Sequence, residues 1–204
     1  MRIGLVVDGV TEFASLPVLY DQVYDATGNR LLTPVRAKIP PYAPLPVIAR
    51  SCAKEVVQLF GRGAERVVVL VDREQRPECC GNLAAGIRGG LAGLCGQAPA
   101  VVVKNRTFEN WVVADVAAVR AGRNRFSVSN AMESAVRGTA DNVEALELLR
   151  RAAQGDAYEK VHDAKRILER AELARLASNS RSFRRFLRVL EHPDYLDQSA
   201  RPRP

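Results

Sequence analysis

Short apolar runs alternate with stretches of helical spacing through the first half of the chain. Ile3 to Val7, Val67 to Val71 and Ala100 to Val103 are apolar at every position but one glycine, which predicts strands buried on both faces. Between them, Glu12 to Tyr20 reads as a helix and Pro34 to Ile39 as a short extended piece. The turn region Pro40-Pro41-Tyr42-Ala43-Pro44-Leu45-Pro46 follows. Residues 49–60 have helical spacing, with Val56, Leu59 and Phe60 on one side. After Pro77, the positions Leu83, Ile87, Leu91 and Leu94 predict a helix interrupted at Gly89-Gly90, and Glu109 to Val119 predicts another.

Strands alternating with helices imply an α/β, Rossmann-like parallel sheet flanked by helices and wound with right-handed crossovers. Beyond Gly122 the pattern is helical only. Val143 to Ala153, Ala164 to Leu176 and Ser182 to Leu190 each read as a helix. These segments are short, so residues 123–191 are expected to form a C-terminal helical extension packed on an α/β domain of residues 1–122. Residues 192–204 are polar and contain proline, which predicts a disordered tail.

The chain has 204 residues, 47% of them hydrophobic, enough to bury a core. No apolar run approaches the roughly 20 residues of a bilayer span, and the N-terminal run breaks at Asp8, too early for a secretory signal. A cytoplasmic protein without a membrane segment is expected. Cys52, Cys79, Cys80 and Cys95 lack the two-residue spacing of zinc knuckles and redox motifs, so all four read as reduced thiols. The formal net charge of +7 favours polyanions through counterion release, although where the arginines lie matters more than their number.

The candidate chemistry sits where the strands stop. The first strand runs into Asp8-Gly9-Val10-Thr11-Glu12, and the second into Asp72-Arg73-Glu74. Carboxylates delivered to the C-terminal ends of buried parallel strands are how open α/β sheets build metal sites. Crowded acids repel one another unless a cation or proton is supplied, and hard oxygen ligands suit Mg²⁺ (or Mn²⁺) with substrate phosphate completing the shell. A single such Asp commonly just caps the next turn. Two acidic strand ends in one small domain shift the balance toward a metal.

The order of motifs resembles a known family. Asp8-Gly-Val-Thr-Glu12 is similar to the E-G-x-T/S-E signature of Toprim domains of the overcoming-lysogenization-defect (OLD) nuclease type, and Asp72-Arg-Glu74 to the Toprim D-x-D motif. Closer still is the Toprim-like bacterial family called domain of unknown function 4276. The corresponding elements here are Glu109-Asn-Trp111-Val-Val-Ala114-Asp115, Tyr158-Glu-Lys160 and Ser180-Arg-Ser182-Phe183-Arg-Arg-Phe186. Asp8 stands where the family usually has Glu, and Glu74 where a second Asp is expected. The resemblance implies a Toprim-like fold and a Mg²⁺-binding, catalytic role for Asp8, Glu12, Asp72 and Glu74. It implies a phosphate-facing catalytic role for Lys160, and a setting in mobile elements or anti-phage defence, often beside an ABC-type ATPase partner.

Glu109 and Asp115 are separated by about 600° of an ideal helix, so they do not face one metal together. Glu109, at a helix start near the sheet edge, is the better further ligand, against the alternative of a first-turn acid stabilised by the helix dipole. Trp111 reads as core or interface packing before a base-stacking platform, and His162 as exposed before a base. In the last helix, Phe183, Phe186, Leu187 and Leu190 share one face, and Arg181, Arg184, Arg185 and Arg188 the other. That stripe is either a phosphate track or a solvated face, and Arg120, Arg123 and Arg125 form a second cluster in a loop.

The expectation is a metal-dependent nuclease of Toprim type acting on DNA or RNA. The competing one is a non-catalytic, Toprim-shaped partner subunit of an ATPase complex. A nucleotide-binding α/β protein is the weakest reading, because no P-loop or G-x-G-x-x-G follows a strand. Oligomeric state is not legible.

Overall fold

The computed structural model describes residues 1–197. Its centre is a five-stranded parallel sheet of strands β1 (Arg2–Val7), β2 (Arg30–Leu31), β3 (Val35–Arg36), β4 (Arg66–Asp72) and β5 (Ala100–Lys104). The order is β2-β1-β4-β5, and β3 pairs with the C-terminal half of β1 just beyond β2, so the two short strands share one edge lane. Val67 to Val71 are at most 4% exposed, as expected of strands covered on both faces.

The helices are α1 (Val10–Ser15), α2 (Tyr20–Thr27), α3 (Leu45–Gly61), α4 (Cys80–Ala92), α5 (Glu109–Ala114), α6 (Val116–Ala121), α7 (Asn130–Val136), α8 (Ala145–Ala152), α9 (Lys160–Leu168), α10 (Leu173–Asn179) and α11 (Arg181–Val189). Period-two alternation divides the core. Ile3, Leu5, Val7, Val68, Leu70 and Val102 face α1, α2 and the C-terminal helices, whereas Val6, Val67, Val69, Val71 and Val103 face α3 and α4. The result is an α/β, Rossmann-like three-layer fold.

Several boundaries depart from the sequence pattern. The first helical stretch continues through a 3-10 turn at Leu16–Leu19 into α2, ending at Gly28 with φ +69°. The Gly89-Gly90 pair does not interrupt α4, which runs on to Ala92. A Cβ on Gly90 would lie 2.8 Å from Ala49 Cβ, and one on Gly86 would lie 2.5 Å from Leu45 Cδ1, so these glycines let α4 close on α3. The stretch from Glu109 to Val119 breaks at Asp115, whose carboxylate accepts the Ala118 N–H and caps α6. The stretch Ala164 to Leu176 breaks between α9 and α10, and α7, capped by Ser129, carries no strong apolar period.

The helices after residue 122 share one core with the sheet, in which Trp111 packs edge-on against Phe183 and stacks on Phe186. Of the expected disordered tail, Pro193–Tyr195 form a 3-10 turn beside the buried His192, and residues 198–204 lie outside the described residues. All four cysteines are free thiols. Among the described residues, no helix is long and apolar enough to cross a membrane.

Candidate metal centre

From β1 the chain leaves toward the edge through α1 and α2 on one face. From β4 it leaves toward β5 through α4 on the other. The C-terminal ends of β1 and β4 therefore flank the topological switch point, where open α/β sheets leave a crevice for ligands. Asp8 follows β1 and Asp72 ends β4, and the Asp72 backbone N–H donates to Asp8 Oδ2 at 2.7 Å. Glu12 comes from α1, directly above.

One more residue reaches this point. Asp72 is paired in register with Lys104, the last residue of β5. Both have the parity of Leu70 and Val102, so both turn to the face that α1 covers. Lys104 is fully buried, and its Nζ donates to Asp8 Oδ1 at 3.0 Å and to Glu12 Oε1 in a very short contact. Asp72 Oδ1 lies 3.2 Å from the same nitrogen without hydrogen-bond geometry, and this buried oxygen has no hydrogen-bond donor.

Three carboxylates against one ammonium leave a surplus of negative charge in a poorly solvated place. Burial, together with the charges of Asp8 and Glu12, drives the Asp72 pKa well above the ordinary carboxylate value, Lys104 notwithstanding. Burial and the Asp8 charge raise that of Glu12 against the pull of Lys104. For Asp8, burial is outweighed by the Lys104 ammonium and the Asp72 N–H, and its pKa falls. Burial alone would lower the Lys104 pKa, but Asp72, Asp8 and Glu12 raise it well above that of a free lysine.

Gly9 makes the geometry possible. A Cβ there would stand 1.9 Å from Glu12 Oε2, so the glycine leaves room for this carboxylate under the β1–α1 turn, and any side chain there obliges it to move; Glu12 is 2% exposed. Oxygens of Asp8, Glu12 and Asp72 lie within 4.8 Å of one another. Three hard donors, one of them lacking a hydrogen-bond donor, whose joint ionisation is opposed by burial and mutual repulsion, suit a divalent cation that would relieve both. A buried acidic cluster that could hold a metal ion is therefore present.

The remaining predicted residues separate from this cluster. Glu74 lines the same cleft but is not among the three converging acids; its φ is +55° and its N–H donates to Arg106 O. Glu109 is buried and forms a 3.3 Å ion pair with Lys160, which is otherwise exposed, so each has the other as its charge partner. His162 is exposed, with its backbone N–H donated to Glu159. On α11, Phe183, Phe186, Leu187 and Leu190 are buried while Arg181, Arg185 and Arg188 are exposed. Arg184 is partly buried and its guanidinium donates to Ala177 O and Ser178 O. In the loop cluster, Arg125 is held by Asp163 and by the carbonyls of Gln154, Asp156 and Ala157, and Arg120 pairs with Glu133.

Lys104 is the site residue that sequence reasoning missed. Its signal was the same as that of Asp8 and Asp72: a charged side chain closing an unbroken apolar run.

A family described as Domain of unknown function (DUF4276) matches residues 24–191. The chain belongs to this family. No curated protein and no solved structure matches. The matched region carries Asp72 and Lys104, whereas Asp8 and Glu12 lie before it. Several motif residues that suggested the family serve its architecture here. Trp111 Nε1 donates to Ser182 Oγ at 2.7 Å, Asp141 accepts the hydroxyls of Ser180 and Ser182, and Asp115 accepts the Arg175 guanidinium and the Glu172 N–H.

Proposed function

We propose that this protein is a metal-dependent phosphodiester hydrolase of Toprim type acting on DNA or RNA. The observation that carries the reading is the convergence of Asp8, Glu12 and Asp72 on the buried Lys104 at the switch point of the sheet. The order Asp8-Gly-Val-Thr-Glu12 then Asp72-Arg-Glu74, on two adjacent parallel strands, supports the Toprim relationship.

In this mechanism Asp8, Glu12 and Asp72 hold Mg²⁺ or Mn²⁺, with Glu74 beside them at the cleft wall. A divalent cation supplies activation of water and neutralisation of charge on the phosphoryl oxygens. Lys104 keeps Asp8 ionised and orients Glu12, so that the acids meet the metal already arranged. Asp72 presents the oxygen that has no donor of its own. Lys160, half exposed and tied to Glu109, is proposed to meet the phosphate backbone outside the cleft.

The exposed arginines of α11 supply the polyanion track. The N-terminal end of α11 is tied through Ser180 and Ser182 to Asp141, whose carbonyl accepts from Asn105 just after β5, so Arg181 is the stripe residue nearest the C-terminal edge of the sheet. Contacts of this kind hold a phosphate backbone without reading sequence. Free thiols and a net charge of +7 accord with a reducing, cytoplasmic setting and a polyanionic substrate, and the family resemblance is what suggests mobile-element or anti-phage defence.

A second reading, a non-catalytic partner subunit of an ABC-type ATPase, is favoured by Lys104 itself, whose ammonium already answers part of the acids' charge. Incubation with labelled single- and double-stranded DNA and RNA, in Mg²⁺, Mn²⁺ or chelator, separates the two. The hydrolase reading expects cleavage that needs metal and is lost in Asp72→Ala. Cleavage indifferent to both changes, or none on any substrate, would reject it.

A further inference from the structure

We infer that the cleft beside the acids takes one unpaired nucleotide, its base seated on Tyr42, so that the polynucleotide substrate is single-stranded or frayed. The inference deepens the proposed phosphodiester reading and rests on it. The cleft holds about 200 Å³, and its lining combines the acids Asp8, Asp72 and Glu74 with the uncharged Ile39, Pro40, Pro41 and Tyr42. That volume lies below the roughly 300–1,000 Å³ of pockets for drug-sized ligands, a size that suits a single base.

The two parts of this lining differ in chemistry. A phosphate brought to the acids is tolerated only with a cation there, while the prolines and Tyr42 offer uncharged side chains. Tyr42 is 66% exposed although it borders a buried charged cluster. An aromatic ring with a free face is what sequence-tolerant single-strand binding uses, since every base has a π-face.

The platform is built rather than loose. Tyr42 has φ +54°, a conformation unfavourable for a residue with a Cβ, and Glu74, which lines the same cleft, has φ +55°. Such backbone persists only where surrounding contacts enforce it, and it concentrates at functional sites. Here the enforcing contacts are the Ala43 N–H to Pro40 O at 3.2 Å and the Arg76 guanidinium, which reaches over to donate to Ala43 O at 2.7 Å. Arg76 also lines the cleft, so a single side chain both fixes the Tyr42 loop and adds positive charge beside it.

The Tyr42 loop follows β3, in the edge lane beside β1, and lines the same cleft as Asp8 and Asp72, so a strand with a phosphate at these acids has a neighbouring base within reach of Tyr42. A duplex cannot place a base there without unpairing it.

The test is binding of fluorescein-labelled single-stranded oligonucleotides of mixed sequence, as DNA and as RNA, and of the blunt duplex, in Ca²⁺ to suppress turnover. Tyr42→Ala is expected to weaken single-strand binding roughly 5- to 150-fold, the range of one lost base–aromatic stack. Tyr42→Trp should retain it, and duplex binding should be weaker and indifferent to either change. Mn²⁺ binding read by electron paramagnetic resonance reports that the metal site survives in both variants. Equal single-strand affinity of wild type and Tyr42→Ala would overturn the inference and leave the hydrolase reading standing. Wild-type protein that binds no polynucleotide would overturn both.

Discussion

Lys104 Nζ stands 3.2 Å from Asp72 Oδ1, opposite it in the register of β4 and β5, yet the two share no hydrogen bond. Two of the three ammonium donors go to Asp8 and Glu12, and Asp72 is held by charge alone. Lys104→Met therefore leaves three buried acids with no resident cation. Removing one partner of a buried ion pair costs about 3–5 kcal/mol, and Mg²⁺ should restore much of that loss. Urea unfolding in chelator and in Mg²⁺ measures both. An unchanged midpoint in chelator would show that Lys104 does not hold these acids together.

Gly9 offers a milder perturbation of the same centre. Its φ of −105° is open to any residue, so Gly9→Ala costs nothing in backbone strain. The added methyl falls on Glu12 Oε2 and must push that carboxylate off Lys104. Metal affinity should drop at least tenfold while thermal stability changes by only about 1 kcal/mol. Full metal affinity in Gly9→Ala would mean that Glu12 is not a ligand.

How legible this centre was depends on which contact one asks about. Asp8 and Asp72 announce themselves because each ends an apolar run, and Glu12 follows within one helical turn of Asp8. Lys104 ends a run in the same way, but a strand read as stopping at Val103 hides it, and only the pairing of β4 with β5 brings it opposite Asp72. Local position makes Glu109 a candidate ligand and the family resemblance makes Lys160 a phosphate-facing residue, whereas packing of α9 on α5 sets the two against each other. Asp115 and Trp111 lie in one helical stretch by sequence. Their roles depend on Arg175 and Ser182, which are distant in the chain and which local periodicity does not reveal.

A pH signature arises away from the metal centre. Burial works against ionisation of Asp163, yet the Arg125 guanidinium and the Glu159 N–H hold its pKa below the ordinary 3.8. A carboxylate depressed in the folded state contributes stability above its unfolded pKa and loses it as pH falls through the folded value. Asp163→Asn should therefore cost about 1–3 kcal/mol at neutral pH, and the gap from wild type should close below pH 3.8. Urea unfolding across the acid range reads this. A gap that stays constant with pH would show that the Asp163 charge is irrelevant.

The arginine stripe makes a separate prediction. Arg181, Arg185 and Arg188 are exposed on α11, whereas Arg184 is committed to backbone carbonyls. Replacing the three exposed arginines with Ala should reduce the slope of log affinity against log salt by roughly 2 to 3, the counterion release of three phosphate contacts. Fluorescence anisotropy across a salt series measures it. An unaltered slope would make the stripe a solvated face.

The central claim is that Asp8, Glu12 and Asp72 share a divalent cation, and Mn²⁺ titration followed by electron paramagnetic resonance tests it most directly. Bound Mn²⁺ is expected in the wild-type protein, competed by Mg²⁺ and weakened at low pH as protons claim the carboxylates, and it should vanish in Asp72→Ala. No binding to the wild type, or equal binding to Asp72→Ala, would contradict the account.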